Sequence, residues 1–438
     1  MIERFVTPND KGIMGENDSQ SIQNAVNYAS KEGIKVVIPR KNFRTNDAEW
    51  IITESILLPS HITVVLDNCY IKQGVGAFCN VFRNSNAGTA SSRTLAGEQC
   101  DIKILGQGYP ILDGVQTNYF FEGGNWELDF SHEDGDKKLF GLRINTLIFM
   151  HNVKDFVIEN IEVRNQRWHA LYFLYCRNGR ISDITSMAKN NIPNQDGINL
   201  RQGCNNIIIE RMYGQTGDDM VALTTIEGDD YNFLVEGKSA DIYDIKIKDV
   251  MGCSVINGVV VLRNQDDYKM YNVDIENVIE SDLEDRNNIP YVALGIGQNG
   301  YFRTKETVIG NTKNINVKTV ISDNAATVQF AATLCDSSLK NIRCLGNRYA
   351  LLSFGVKMKD VDIDQVYIEN RPYQMPMRMA MPYSGRPLEF DLYERSGDYL
   401  DNVKVTNLIN EFGELKIGLK SSNKNDITIN GEKYDDAN

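Results

Sequence analysis

The chain has 438 residues, a formal net charge of −13 and eight cysteines. The acidic balance, with no Lys/Arg-rich run, argues against nucleic acid and against an anionic membrane surface as partners. No apolar run reaches the roughly 20 residues that a membrane span requires. The cysteines form no CxxC pair, which argues against a zinc ribbon and against a thioredoxin-type site.

The first residues, MIERFVTPNDKGIMG, show no basic region followed by an apolar core, so no signal peptide is visible. Most cysteines lie in or beside apolar runs, as Cys344 does in NIRCLG. Buried thiols suit a reducing compartment, and these observations favour a cytoplasmic protein. A secreted protein whose leader has been removed would look the same.

Residues 16–38 predict a helix followed by a strand. Asp18 or Ser19 can cap the helix, and Gly33 can end it. The apolar stripe of this helix consists of Ile22, Ala25, Val26 and Ala29, and residues 36–39 form the first strand. We expect the segment of about residues 1–40 to cap the open end of a solenoid, because the first coil otherwise exposes its core and strand edges.

A seven-residue motif then recurs along the chain: Asn or Asp, an apolar residue, any residue, Ile or Val, two polar residues, and an apolar residue. It occurs at 155–161, 206–212, 244–250, 272–278, 314–320, 360–366 and 402–408, with a looser copy at 178–184. Intervals of 20 to 40 residues indicate one coil per repeat, and the alternation within each copy is typical of a strand. The sequence therefore predicts an all-β, single-stranded parallel β-helix forming one domain over 1–438. Residues 281–312 and 370–400 are expected to be loops that wall a groove.

Three carboxylates lie at turns between short apolar runs: Asp196, Asp218 and Asp219. Asp218 follows Asp196 by 22 residues, about one coil of such a solenoid. Because neighbouring strands are roughly 5 Å apart, the three acids would form one cluster. Repulsion among them would raise the pKa of at least one, and glycosidic bond hydrolysis needs one protonated and one ionised carboxyl. NxDG and GDD are also ordinary turn sequences, and the one-coil spacing is what favours the catalytic interpretation.

These residues resemble the polygalacturonase-type glycoside hydrolases of family 28, which are right-handed parallel β-helices. The resemblance runs to about residue 285, includes RNQRWHALYFLYCRN at 164–178, and is sharpest in Asn194-Gln195-Asp196-Gly197 and Gly217-Asp218-Asp219. These two blocks are similar to the family's NTDG and GDD blocks. The resemblance implies that Asp218 is the general acid, that Asp196 and Asp219 activate water for hydrolysis with inversion, and that no metal or other cofactor is needed. Asn194 and Gln195 become candidate substrate-binding residues.

The chain departs from the family at two blocks. Where the family has Gly-His-Gly, this chain has Asn257 followed by Gly258, and all four histidines lie upstream of Asp196. The family's Arg-x-Lys pair, which grips a uronate carboxylate, is not in register in the region 292–305, which reads VALGIGQNGYFRTK.

Further substrate-binding candidates follow from these gaps. They are Asn257, Arg263, Lys189, His169, Trp168 and Tyr291. Some of these residues have an alternative interpretation without a role in binding. Arg263 would be a solvated arginine at a strand end, and His169 would be held by a backbone carbonyl. The rings of Trp168 and Tyr291 would serve only packing.

Three functions remain open at this point. The first is an inverting hydrolase acting on a pectic or related oligo- or polysaccharide, with a preference for chain ends expected if the loops close one side of the groove. The second is a polysaccharide lyase, in which the acids bind calcium. The third is a carbohydrate-binding β-helix without catalysis. The sequence does not indicate an oligomeric state.

Overall fold

A computed structural model of the chain describes residues 4–115, 135–188, 194–226, 230–255, 257–264, 267–281, 292–297, 307–323, 325–331, 333–345, 350–354, 357–369, 389–393, 399–411, 416–419 and 424–434. Almost all regular structure in these residues is β-strand, and all but one of the strand pairs described are parallel. Neither of the two α-helices described is long and apolar enough to cross a membrane. The protein is a right-handed parallel β-helix, as the sequence predicts.

The described chain forms two compact units, Met1–Gly217 with Asp230–Ser239, and Asp218–Asp229 with Ala240–Asn438. The single-domain prediction stays a prediction. The strands of the first unit are β1 Phe5–Val6, β2 Lys35–Pro39, β3 Glu49–Ile52, β4 Ile56–Leu58, β5 Ile62–Asp67, β6 Tyr70–Gln73, β7 Phe82–Asn84, β8 Gln99–Gln107, β9 Ile111–Asp113, β10 Ile148–His151, β11 Val153–Arg164, β12 Leu171–Leu174, β13 Arg177–Met187, β14 Ile198–Leu200 and β15 Asn205–Thr216. Its helices are α1 Asp18–Glu32 and α2 Gly135–Phe140, and short 3₁₀ turns span Ser91–Arg93, Leu95–Gly97, Gly141–Asn145 and Tyr231–Phe233.

The strands of the second unit are β16 Val221–Thr225, β17 Ile242–Ser254, β18 Gly258–Asn264, β19 Met270–Glu280, β20 Val292–Ile296, β21 Thr312–Ser322, β22 Ala326–Phe330, β23 Leu334–Cys344, β24 Leu351–Phe354, β25 Lys357–Ile368, β26 Glu389–Tyr393, β27 Tyr399–Asn410, β28 Lys416–Leu419, β29 Lys424–Ile429 and β30 Glu432–Lys433. Long strands of 11 to 13 residues pair with long strands from β17 to β27, and short strands pair with short strands from β16 to β28. Each coil therefore contributes one long and one short strand.

The predicted repeat is the register of the long strands. Ile158 pairs with Ile181, and Ile181 pairs with Ile209, so these fourth-position residues stack in adjacent coils of the first unit. Ile247, Ile275 and Val317 form the corresponding stack in the second unit. All of these side chains are buried, so the stacked apolar positions form the core.

The motif's polar residues have a backbone role that the strand period alone does not reveal. Its first and sixth positions adopt the left-handed conformation, as in Asp155 and Asn160 (φ 55° and 56°) or Asn272 and Asn277 (φ 55° and 60°). Asn and Asp tolerate this conformation best among non-glycine residues, which explains their recurrence. We call these positions the first and second corners of a coil. Corner side chains also join successive coils: Asn272 Nδ2 donates to Asp244 Oδ1 at 2.9 Å.

Helix α1 has the position and ends predicted for a cap, with one shift at its start. Its N-cap is Asn17, whose side chain accepts a hydrogen bond from the Gln20 amide, and Gly33 ends it in the left-handed conformation. The predicted stripe of Ile22, Ala25, Val26 and Ala29 is fully buried and packs against strands of the first unit. Asp18 does not cap the helix by its side chain. It instead accepts bonds from Arg44 and from the Ile51 amide.

The prediction that 281–312 and 370–400 are loops is wrong where strands cross these ranges, although residues 307–311 do lie outside any strand or helix. Strand β20 (Val292–Ile296) pairs with β18 and β22, and β26 (Glu389–Tyr393) pairs with β24 and β28. Strands of five residues between turns give too short an alternation to be recognised in sequence. Most of the remaining predicted loop residues lie outside the described part of the chain. All eight cysteines are unbridged, and seven of them are buried.

Candidate functional site

Asp196 lies in the turn before β14 in the first unit, and hydrogen bonds hold both its backbone and its carboxylate. The turn begins at Asn194, which adopts φ 58°. The Asp196 carbonyl accepts from the amide of Ala170 at 2.9 Å. Its Oδ2 accepts from Asn199 Nδ2 at 2.8 Å, and only 1% of the residue is exposed. The sequence pattern did not single out Asn199, although its place three residues after Asp196, within the short strand β14, offers a local signal.

His169 faces the other carboxylate oxygen of Asp196. Its Nδ1 lies 3.2 Å from Asp196 Oδ1, and only 4% of His169 is exposed. The imidazole stacks on the ring of Tyr172 with centroids 5.0 Å apart and planes within 7°, and it also contacts the half-buried ring of Trp168. His169 is therefore a buried histidine that lies beside a carboxylate. The alternative of a histidine held by a backbone carbonyl does not apply.

Gln195 holds the turn together. Its Nε2 donates to the Gln166 carbonyl at 2.7 Å, and the residue is fully buried. Its own carbonyl accepts from the amide of Gly217 at 3.2 Å. The residue preceding Asp196 is thus bonded to the residue preceding Asp218, both within the first unit.

In the second unit, Asp219 is a fully buried carboxylate with a cation beside it. Its Oδ2 forms an ion pair with Arg263 Nη1, and its Oδ1 accepts from the amide of Gly258 at 3.2 Å. Arg263 lies on β18 in register with Thr224 of β16, and only 9% of it is exposed. The alternative of a solvated arginine is therefore wrong. An opposite charge at contact favours the ionised form of Asp219.

Asp218 differs from its neighbour in exposure. It is half-buried, and its Oδ1 accepts from the backbone amide of Asp219 at 3.0 Å. Asn257 is also half-buried; its amide donates to Ser254 Oγ at 2.9 Å, and its carbonyl accepts from the Val292 amide at 3.4 Å. Lys189 and Tyr291 lie outside the described residues.

A second buried charge network stands close to His169 in the first unit, and no sequence pattern indicates it. The fully buried Asp230 carboxylate contacts Arg143 Nε at 2.5 Å and Arg201 Nε at 2.9 Å. It also accepts from the hydroxyl of Tyr172 at 2.9 Å. Burial alone would raise the pKa of Asp230, but the charges of Arg143 and Arg201 and the hydrogen bonds outweigh burial and hold the pKa at about 2. The network fixes Tyr172, on which His169 stacks.

Comparison with known proteins connects these residues to a family. The model of the family described as Glycosyl hydrolases family 28 matches residues 116–229, the segment that carries all three aspartates. A "Probable polygalacturonase" of Vitis vinifera is 25% identical over 312 residues, 67% of this chain. That match spans 58% of the grapevine protein's length.

Solved structures share the fold at low identity. The family 28 exopolygalacturonase of Yersinia enterocolitica is 12% identical, covers 99% of this chain and 79% of its own, and has a TM-score of 0.60. The polygalacturonase of Erwinia carotovora is 14% identical, with 96% of each chain covered and a TM-score of 0.54. The surface adhesin PfbA of Streptococcus pneumoniae also matches, at 13% identity over 96% of this chain and 94% of its own, with a TM-score of 0.51. The aspartate-bearing segment is thus similar to the family 28 glycoside hydrolases, and the fold is that of the solved polygalacturonases.

Proposed function

We propose that the protein is a glycoside hydrolase that cleaves a pectic or related oligo- or polysaccharide with inversion. Asp218 is the general acid, and Asp196 and Asp219 are the carboxylates that activate water. The observation that carries this assignment is the contrast between two neighbouring acids. Asp219 is fully buried against Arg263, whereas Asp218 is only half-buried and reaches solvent. The cation at contact favours the ionised form of Asp219, so Asp218 is the better site for a proton.

The surroundings of Asp196 support its role as a base. Asn199 donates to one of its oxygens, and His169 lies beside the other. The hydrogen bond from Asn199 orients the carboxylate and offsets part of the cost of its burial.

The substrate class follows from the chain's similarity to family 28 and from its own charges. The matched family segment and the fold support a sugar polymer, and neither nucleic acid nor a membrane is proposed as a partner. The region 292–305 does not carry the Arg-x-Lys pair in the family's register, which supports a substrate whose carboxylate, if it has one, is met differently from the family's pattern. The unbridged cysteines support a reducing compartment, and we propose a cytoplasmic enzyme acting on oligosaccharides.

The test compares the wild type with Asp218→Asn on a panel of pectic and other plant-derived oligosaccharides. We expect new reducing ends from the wild type, without the ultraviolet absorbance of an unsaturated product, and a loss of at least about 100-fold in kcat in the variant. Asp244→Asn is the matched control: it makes the same change at an exposed first corner and should leave turnover unchanged.

Two other outcomes would overturn the proposal. An unsaturated product that disappears with a chelator would make the protein a lyase with calcium bound by the acids. Sugar binding by the wild type and by Asp218→Asn alike, without turnover of any substrate, would make it a binding scaffold.

A further inference from the structure

A second cluster of reactive groups lies far from the aspartates in sequence, at the corners of the first coils. His61 and Asp101 adopt φ 61° and 54°, so both occupy first corners. The β5–β8 pairing aligns Ile62 with Ile102, which places His61 beside Asp101. The amide of His61 donates to the Cys100 carbonyl at 2.9 Å, and the amide of Cys100 donates to Ser60 Oγ at 3.1 Å. The backbone on both sides of the cluster is therefore fixed.

The side chains of this cluster form a thiol, imidazole and carboxylate in sequence. Cys100 Sγ lies 3.5 Å from His61 Nε2, and His61 Nδ1 lies 3.5 Å from Asp101 Oδ2. Lys103 Nζ contacts the other oxygen of Asp101 at 2.8 Å. A carboxylate beside Nδ1 favours the tautomer that carries its proton there, which leaves the Nε2 lone pair directed to the thiol.

Cys100 also differs from every other cysteine in its exposure. It is partly exposed, while the other seven are buried. Burial raises the pKa of Cys79 and of Cys176 to about 12, and the pKa of Cys335 to about 11. Those thiols stay protonated near neutral pH, so Cys100 is the one thiol with both access to solvent and a base at contact.

Charged side chains lie near Cys100 on its own segment and on β11. Its charged neighbours in sequence are Glu98, Asp101 and Lys103, and on β11 Lys154 is in register with it. Glu98 is engaged elsewhere, since it accepts hydrogen bonds from Arg177 at 2.8 Å and from Lys238 at 2.6 Å. Asp101 pairs with Lys103. Lys154 Nζ lies 3.8 Å from Glu98 Oε2, so it belongs to the same ion-pair group, and His61 is the titratable group at contact with the sulfur.

We propose that Cys100 is a modification site, at which His61 accepts the thiol proton and the thiolate undergoes exchange with a low-molecular-weight disulfide. The Cys100 sulfur attacks one sulfur of the small disulfide, so a Cys100–S bond forms and the disulfide's S–S bond breaks. Cys100 is oxidised by this step and the small disulfide is reduced. The released thiolate takes the proton from the His61 imidazolium. This site is independent of the proposed hydrolase activity.

The test follows reaction of the folded, full-length protein with 4,4′-dithiodipyridine, a neutral disulfide that releases a chromophore. We expect one fast thiol per chain, mapped to Cys100 by peptide mass spectrometry and absent from Cys100→Ser. His61→Asn should slow this phase at pH 7 by roughly 3- to 10-fold, because the gain in thiolate fraction is partly offset by lower nucleophilicity. Asn occupies the first corner in several other coils, so this variant retains the fold, and a thermal melt confirms that it does.

Asp101→Asn keeps a corner-compatible residue but removes the carboxylate, and it should slow the fast phase less than His61→Asn does. The rate of the fast phase should begin to rise at a lower pH in the wild type than in His61→Asn. Equal rates and equal pH profiles in the wild type and in folded His61→Asn would overturn the proposal. So would a fast phase that maps to another cysteine.

Discussion

At the scale of single residues, the buried acids are the most informative feature of this chain. Asp219 and Asp230 are both fully buried carboxylates, and each contacts arginine. A buried ion pair contributes little compared with apolar packing, but removal of one partner is costly because a bare charge stays in the core. Each buried ion pair can therefore be tested by its effect on stability, separately from catalysis.

Arg263 provides the first such test. Arg263→Met removes the cation from the buried Asp219 carboxylate, and we expect the free energy of unfolding to fall by about 3–5 kcal/mol. Denaturant titration followed by circular dichroism measures this loss. The double variant Asp219→Asn/Arg263→Met should regain much of it, because the uncompensated charge is gone.

The matched control is Lys318→Met, which breaks the exposed pair of Lys318 with Glu276 at 3.0 Å and should change stability little. An Arg263→Met variant as stable as Lys318→Met would show that Asp219 does not depend on Arg263.

Asp230 yields a pH-dependent prediction. Its pKa is about 2 in the folded protein against about 3.9 in an unfolded chain. A group with a lowered folded pKa stabilises the fold above its unfolded pKa, and the stabilisation is lost as pH falls through the folded pKa. We expect Asp230→Asn to be less stable than the wild type by about 2–3 kcal/mol at pH 7, with a difference that shrinks between about pH 4 and pH 2. Thermal melts over this range measure the difference, and a gap that stays constant with pH would refute the assignment.

At the scale of elements, the corners decide which residues the coils accept. Most second corners carry Asn or Asp, but Thr319 adopts φ 69° with a β-branched side chain. That conformation is strained for any L-residue other than Gly, Asn or Asp. Asn341 Nδ2 donates to Thr319 Oγ1 at 3.0 Å, a bond that the side-chain oxygen of an asparagine in that corner can also accept.

Thr319→Asn should therefore raise the free energy of unfolding by about 0.5–1 kcal/mol. The reverse change at an equivalent corner, Asn277→Thr, should lower it by a similar amount, since Asn277 adopts φ 60° and donates to Asp249 Oδ1 at 2.7 Å. Paired denaturant titrations compare the two variants. Stabilisation by both, or destabilisation by both, would show that corner strain is not the dominant effect.

The corners also explain how much of the fold could be predicted from sequence. The motif combines stacked apolar positions with two left-handed residues. Each copy therefore specifies a strand and its two corners within seven residues. Helix α1 was predictable for the same reason, since its stripe and Gly33 act within a few residues. The short strands β20 and β26 were missed, because their positions depend on the long strands that flank them.

The candidate site was predictable only where its signal is local. Asp196, Asp218 and Asp219 stand in recognisable turn blocks. Asp230 does not, because its partner Arg143 is 87 residues away in sequence and no periodic pattern links them. The contact of His61 with Cys100 spans 39 residues in the same way. Ion pairs between coils depend on exact register. Because the inserts between strands vary in length, that register cannot be read from the sequence.

At the scale of the whole molecule, the net charge of −13 sets a condition on any anionic substrate. A strongly acidic enzyme repels a polyuronate at long range, unless local cations dominate the approach. Raising the ionic strength from about 10 mM to about 150 mM shortens the screening length from roughly 30 Å to roughly 8 Å. If the substrate is a uronate oligomer, we expect kcat/KM to rise by about two- to fivefold over this range. A neutral oligosaccharide should show little change.

Initial rates in NaCl on matched uronate and methyl-esterified oligomers measure this effect, since the ester removes the charge and keeps the sugar. The direction of the change is the result that matters. A rise confined to the charged oligomer means that the global charge governs encounter and that no basic cluster in the groove outweighs the acidic surface. A fall in kcat/KM with salt would contradict this prediction, because it requires cations in the binding groove that outweigh the acidic surface.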